Sequence, residues 1–164
     1  MVLVALDARL GLTGRAGRRT VAARDFFTGY LTTALAPDEL LTEVEIPITR
    51  QVGWAVEEIS RRAGDFAIVA VTALIRLDAR GRVDDARLAF AGVGATPVRV
   101  PAAEDVLRGA EPTAERVGQA ADAARGALRP ESDAFVSAAY RRLLAGVLAR
   151  RALARAVARA IEVR

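Results

Sequence analysis

The sequence predicts an α+β fold, with strands in its first two thirds and helices in its last third. Three observations predict it. Apolar faces alternate from Ala67 to Asp78, the period of a β-strand. The turn Asp78-Ala79-Arg80-Gly81-Arg82 joins that strand to the run from Val83 to Val93 as an antiparallel hairpin, with Gly81 able to take positive φ. From Pro101 onward, helix punctuation replaces strand patterning. The helices come after the strands and do not alternate with them, which speaks against a doubly wound parallel sheet.

The elements before residue 50 are short. Val2-Leu3-Val4-Ala5-Leu6 is a continuous apolar run and reads as a strand buried on both faces. Gly11, Gly14 and Gly17 mark turns, and Arg18 to Ala22 reads as a further short strand. Ala23 to Tyr30 reads as a turn or a single helical turn closed by Gly29. Glu39 to Pro47 alternates at positions 42–46 as a half-buried strand does, and Pro47 ends it. A strand buried on both faces needs neighbours on both sides, and 48 residues are few for a sheet with two covered faces. The chain therefore reads as starting inside a domain; a small N-terminal sheet docked on the rest is the other reading.

Longer strands come after Trp54: Ala55 to Arg61, Ala67 to Asp78 and Val83 to Val93, with Pro97-Val98-Arg99-Val100 as a short fourth segment. They form an antiparallel sheet of three to four strands. Pro101 in a first turn and Gly109 beyond the end delimit a short helix, Ala102 to Arg108. Thr113 caps a second helix that runs to about Ala127, and Pro130 interrupts the chain again. Ser132 is expected to cap the last helix, with Asp133 in its first turn. Val136, Tyr140, Leu143, Val147, Ala154, Val157 and Ile161 keep a helical spacing along it. At 1.5 Å per residue that helix reaches about 40 Å.

Composition removes several chemistries. The 164 residues contain no Cys and no His, so disulfides, thiolate-held iron–sulfur clusters, ordinary zinc sites and imidazole acid–base catalysis are excluded. The net charge of +4 invites a nucleic-acid reading. All 24 basic residues are Arg, however, and aromatic residues make up only 5%, too few for base stacking, so no nucleic-acid partner is expected. No stretch approaches the roughly 20 apolar residues of a membrane span. The opening residues lack a basic leader and cleavage pattern, and the protein is read as cytoplasmic.

Few motifs carry chemistry on their own. Gly92-Val93-Gly94 comes after a strand but leads into the extended Ala95 to Val100, and no third glycine appears; it reads as a bend, not a dinucleotide loop. Arg61-Arg62-Ala63-Gly64-Asp65-Phe66-Ala67 is the most site-like stretch, placing two guanidiniums, a carboxylate and an aromatic ring between strands. A polar hairpin with solvated Arg–Asp pairs is the equal alternative. Glu57-Glu58 and Asp84-Asp85 are strand neighbours that point to opposite faces, so neither pair is an acid–base couple, and both are expected to be exposed. Arg151, Arg155 and Arg159 form an i, i+4 stripe, read as a solvated face, with an anionic partner surface as the alternative.

Five stretches in register resemble one family. Ala5-Leu6-Asp7-Ala8 with Gly17 to Val21 and Asp25-Phe26-Phe27-Thr28-Gly29-Tyr30 is similar to the end of the FAD-binding subdomain of molybdenum hydroxylase medium subunits, the xanthine dehydrogenase and carbon monoxide dehydrogenase family. Leu35 to Leu41 with Ile46-Pro47, Arg61 to Ala67, Gly92 to Arg99, and Ser137 to Leu144 resemble successive later stretches of the same subunits. The resemblance implies an incomplete FAD-binding subdomain over 1–48 and the CO dehydrogenase flavoprotein C-terminal domain over 49–164. It implies FAD as cofactor, with [2Fe–2S] clusters on a small partner subunit and a molybdenum–pterin centre on a large one. Electrons would pass from the clusters through FAD to an external acceptor; a docking module that only binds partner subunits is the alternative. Leu41, Glu57, Asp65 and Phe66 are the residues it implies near the flavin, Glu57 standing where the xanthine dehydrogenase branch often has Lys. The family's glycine-rich phosphate-binding segments have no counterpart here, so the isolated chain is expected to hold FAD weakly or not at all.

Overall fold

The computed structural model describes all 164 residues. The elements run α1 (Val2–Ala5), β1 (Arg9–Gly14), β2 (Gly17–Ala22), α2 (Ala23–Phe26), β3 (Phe27–Gly29), β4 (Thr32–Thr33), β5 (Leu40–Glu45), β6 (Val52–Ser60), β7 (Ala67–Leu77), β8 (Val83–Ala91), β9 (Val98–Arg99), α3 (Pro101–Leu107), α4 (Ala114–Ala127) and α5 (Ala138–Glu162). Strands precede the main helices, as an α+β fold requires.

The larger sheet has the order β6-β7-β8-β9, and every pair is antiparallel. Its central hairpin is built by Asp78, whose carboxylate accepts from the N–H groups of Arg80 (2.8 Å) and Arg82 (2.9 Å). Gly81 takes φ +82° in that turn. Alternation along β7 sends Val69, Val71, Ala73 and Ile75 into the main core. Helices α3 and α5 cover this face, and α4 packs on both of them. Thr113 caps α4 by accepting from the Arg116 N–H, and Gly109 stands beyond the end of α3 at φ +75°.

Helix α5 lies close against the sheet because half of its buried residues are alanine. Ala149, Ala152, Ala156 and Ala160 are buried there among Leu148, Leu153 and Val157. The approach is so tight that a Cβ on Gly53 would stand 1.9 Å from the Ala156 carbonyl oxygen. This corrects the expected stripe: of its seven positions only Val157 is buried, while Tyr140, Leu143, Val147 and Ile161 are exposed. The helix selects the residues that permit backbone approach over the bulkier ones at the same period. Its start is also corrected. Ser137, not Ser132, is the N-cap, accepting from the Tyr140 N–H. Asp133 instead closes a turn, accepting from the N–H groups of Phe135 and Val136 at 2.8 Å each.

The N-terminal part holds a three-stranded sheet of order β2-β1-β5 and a small core of Val4, Ala8, Leu10, Leu12, Ala23 and Phe26. Three expectations fail here. The run Val2 to Leu6 is not a strand but the short helix α1, because the chain must turn back at Asp7 (φ +51°) to enter β1. An apolar run of five does not distinguish the two. Strand β5 forms where expected, but all of its residues are exposed, so it is not half-buried. Gly29 ends β3, which pairs with β4, and does not close a helix; the helical turn is only Ala23–Phe26.

Candidate functional site

The loop between β6 and β7 carries the site-like stretch. Gly64 takes φ +79°, a left-handed conformation that lets the loop fold back on itself. Asp65 organises it: its Oδ1 accepts from the Phe66 N–H at 2.9 Å, and its Oδ2 lies 3.5 Å from Arg62 Nε and 3.9 Å from Arg61. The Arg61 guanidinium stacks 4.8 Å above the Phe135 ring. These contacts leave the Phe66 ring 95% exposed at the edge of the larger sheet. A fixed backbone with a bare aromatic ring is a flat surface without an intramolecular partner.

Of the four residues singled out, only Asp65 and Phe66 are joined directly. Leu41 lies on β5, in the other sheet, exposed beside Leu40 and Val44. Glu57 is not exposed as expected for an acidic strand pair: it points towards α5, with a side chain only 12% exposed, and its Oε1 lies 2.5 Å from Arg155 Nη1. That contact falls outside hydrogen-bond alignment, so it is a Coulombic pairing. The arginine stripe is exposed as expected, but two of its three members also contact β6: Arg155 pairs with Glu57, and Arg159 donates to the Trp54 carbonyl at 2.6 Å and stacks 4.4 Å above the indole.

Two concavities flank these elements. A groove of about 480 Å³ is lined by Val2, Leu6, Ile48, Trp54, Thr72 and Leu74, on the sheet face opposite α5. A more polar cleft of about 430 Å³ lies beside the Phe66 loop, where Tyr30, Ala67, Gly92, Asp133 and Arg141 meet. Gly92 (φ +77°) ends β8 in a bend, as its sequence context implied.

The two parts of the chain are held together by charge. Arg99 donates twice to Asp7, at 2.9 and 3.0 Å, and grips Glu104 through Nε (2.9 Å) and Nη2 (2.7 Å). Glu104 is 2% exposed and also accepts from the Leu88 N–H at 3.0 Å. Arg87 adds a contact to Asp7 at 3.1 Å and to Asp85 at 2.9 Å. The Arg99 guanidinium is held above its ordinary pKa, chiefly by hydrogen bonds to Glu104. None of this was read from the sequence. The signal available was a single Glu in a short apolar helix directly after an arginine-bearing strand.

The residues present suit a flavin ring better than its diphosphate. Phe66 and Leu41 offer exposed apolar surface of the kind a ring covers. A diphosphate needs free backbone N–H groups, commonly at a helix N-terminus. In the two long helices that position is already capped, by Thr113 in α4 and Ser137 in α5.

The chain matches the family model described as CO dehydrogenase flavoprotein C-terminal domain over residues 54–156, and the model of the FAD binding domain in molybdopterin dehydrogenase over residues 1–49. It is 41% identical over 159 residues to the nicotine 6-hydroxylase medium subunit of Paenarthrobacter nicotinovorans, covering 97% of this chain and 56% of that protein. It is 37% identical to the carbon monoxide dehydrogenase medium chain of Afipia carboxidovorans, covering 94% of this chain and 54% of that one. Carbon monoxide dehydrogenase from Hydrogenophaga pseudoflava superimposes with a TM-score of 0.90 at 37% identity, over 96% of this chain and 55% of its own. Quinoline 2-oxidoreductase from Pseudomonas putida 86 does so with a TM-score of 0.90 at 32% identity, over 98% and 55%. The chain thus spans about half the length of the relatives it matches. With one flavoprotein model covering most of the chain and these folds agreeing with it, the protein belongs to the CO dehydrogenase flavoprotein family, the medium subunits of molybdenum hydroxylases.

Proposed function

We propose that this chain forms the ring-facing wall of the flavin pocket in an FAD-dependent electron-transfer subunit of a molybdopterin-dependent hydroxylase or dehydrogenase. The observation that carries the reading is Phe66, bare at 95% exposure on a loop whose backbone Asp65 fixes. Bound FAD supplies the redox chemistry that links iron–sulfur clusters to an external acceptor. The chain supplies position. Phe66 and Leu41 cover ring surface and exclude water from it. Asp65 holds the Phe66 N–H. Glu57 neutralises Arg155 and seats β6 on α5, so its part in the pocket is indirect.

The division at residue 48 accords with this reading: 1–48 belongs with the FAD-binding subdomain and 49–164 is the C-terminal domain. The partners are a small subunit with [2Fe–2S] clusters and a large subunit with the molybdenum–pterin centre, in a cytoplasmic complex. No helix is long and apolar enough to cross a membrane. The diphosphate, with about two negative charges, calls for a backbone N–H cradle on other sequence. The isolated chain is therefore inactive as an oxidoreductase component.

A docking role without flavin is the second reading, favoured by the exposed Tyr140, Leu143, Val147 and Ile161 along α5. Titration of free flavin separates the two. Quenching of flavin fluorescence that Phe66→Ala abolishes supports the ring wall. No quenching at millimolar chain supports docking alone.

A further inference from the structure

We infer that Arg141 is a positioning residue for the ring-facing loop: one guanidinium fixes where Phe66 stands. The strand ladder explains why something must. Pairing of β7 with β8 ends at Ala70↔Ala91, so the carbonyls of Ile68 and Gly92 lie just beyond it. Gly92 brings them together; a Cβ at that position would stand 2.2 Å from the Ile68 oxygen. Two converging carbonyl oxygens without ladder donors repel and need a shared cation. Arg141 Nη1 donates to Ile68 O at 2.8 Å and to Gly92 O at 2.9 Å. Ile68 is two residues from Phe66.

The other arm of the guanidinium reaches the loop by a second route. Arg141 Nη2 pairs with Asp133, whose turn presents Phe135 to Arg61, which in turn pairs with Asp65. Both ends of the loop thus hang from one side chain, itself only 15% exposed and rooted in the rigid helix α5. A planar fork is needed to serve two carbonyls and a carboxylate at once; an ammonium group does not span them. Arg141, in the stretch 137–144, thus joins Gly92, the first residue of 92–99, to Ile68, the residue directly after 61–67.

The inference rests on Phe66 being the ring-facing residue, and the two halves are measured separately. Hydrogen exchange of the full chain, read by mass spectrometry, reports on the loop without flavin. Arg141→Lys is expected to speed exchange over 61–68 by on the order of tenfold while α4 keeps its rate. Asp133→Asn leaves both carbonyl bonds in place and serves if Arg141→Lys does not fold; it is expected to speed exchange over 61–66 and 133–136. Unchanged exchange over 61–66 overturns the inference. In the assembled flavoprotein complex, Phe66→Leu and Arg141→Lys are expected to shift the flavin absorption bands and midpoint potential in the same direction, with Asp133→Asn again standing in. If Phe66→Leu shifts them and the Arg141 or Asp133 variant does not, the positioning role alone fails. If Phe66→Leu leaves them unchanged, the ring-facing assignment fails and the role falls with it.

Discussion

Asp7 and Arg99 are 92 residues apart in sequence and meet in a two-pronged ion pair, with Arg99 Nη1 2.9 Å from one Asp7 oxygen and 3.0 Å from the other. The pair ties the turn after α1 to the last strand of the larger sheet. Because Arg99 also holds Glu104, the contact anchors the N-terminal part to a buried carboxylate and not to a solvated one.

Arg99→Ala strands Glu104 in the core with only the Leu88 N–H as partner. A loss of about 3–5 kcal/mol in urea unfolding is expected, the scale for an uncompensated buried charge. Asp7→Asn leaves the Arg99–Glu104 grip intact and is expected to cost about 1 kcal/mol or less.

Gly53→Ala drives a methyl group into the α5 backbone at Ala156 and Ala160. Overpacking of this kind costs about 1–3 kcal/mol, and more where backbone must move. Gly94→Ala meets nothing within 4 Å and is expected to stay within about 0.5 kcal/mol of the parent. Thermal unfolding of the two variants side by side checks the contrast.

Acid is expected to loosen the segment around β5. The Glu39 carboxyl is pushed down to about 2, first by the hydrogen bond from Arg19 and then by the Ala36 N–H. A depressed carboxyl contributes its stability above its unfolded value, here 4.5, and loses it as pH falls from there through about 2. Asp133 and Asp78 are lowered in the same sense by backbone N–H groups. Glu39→Gln is expected to lower the melting temperature at pH 7 and to flatten part of its fall between about pH 4.5 and 2.

Trp54 is the only tryptophan, which makes the Arg159 stack directly observable. Arg159→Ala is expected to alter the fluorescence intensity and emission maximum and to cost about 0.5–1 kcal/mol, the range for an exposed cation–π contact. Arg151→Ala, on the same helix but outside the stack, is the control and is expected to leave the emission unchanged.

The long hairpin, the Gly81 turn, the Thr113 cap and the Gly92 bend were legible because each rests on local chemistry: a period of two, a positive φ, a capping hydroxyl. The 61–67 loop was legible as a cluster, although its composition fitted a solvated hairpin equally well. What was not legible depends on tertiary choice. Helix α5 has apolar residues on several faces, and the buried one is set by where alanine lets backbone approach β6. Glu57 looked like half of an exposed acidic pair until the helix brought Arg155 to it. Arg141 sat in plain view beside Arg142, but nothing nearby in sequence indicates that its partners are the carbonyls of residues 68 and 92.

The proposed wall faces the flavin ring and does not grip its diphosphate. Dissociation constants of the isolated chain for riboflavin and for FAD, measured by fluorescence titration at one ionic strength, test it most directly. A ring-only wall gives two weak constants equal within about threefold, a difference under 1 kcal/mol. FAD binding on the order of a hundredfold tighter than riboflavin, nearly 3 kcal/mol, would show that this chain holds the diphosphate itself and would contradict the claim.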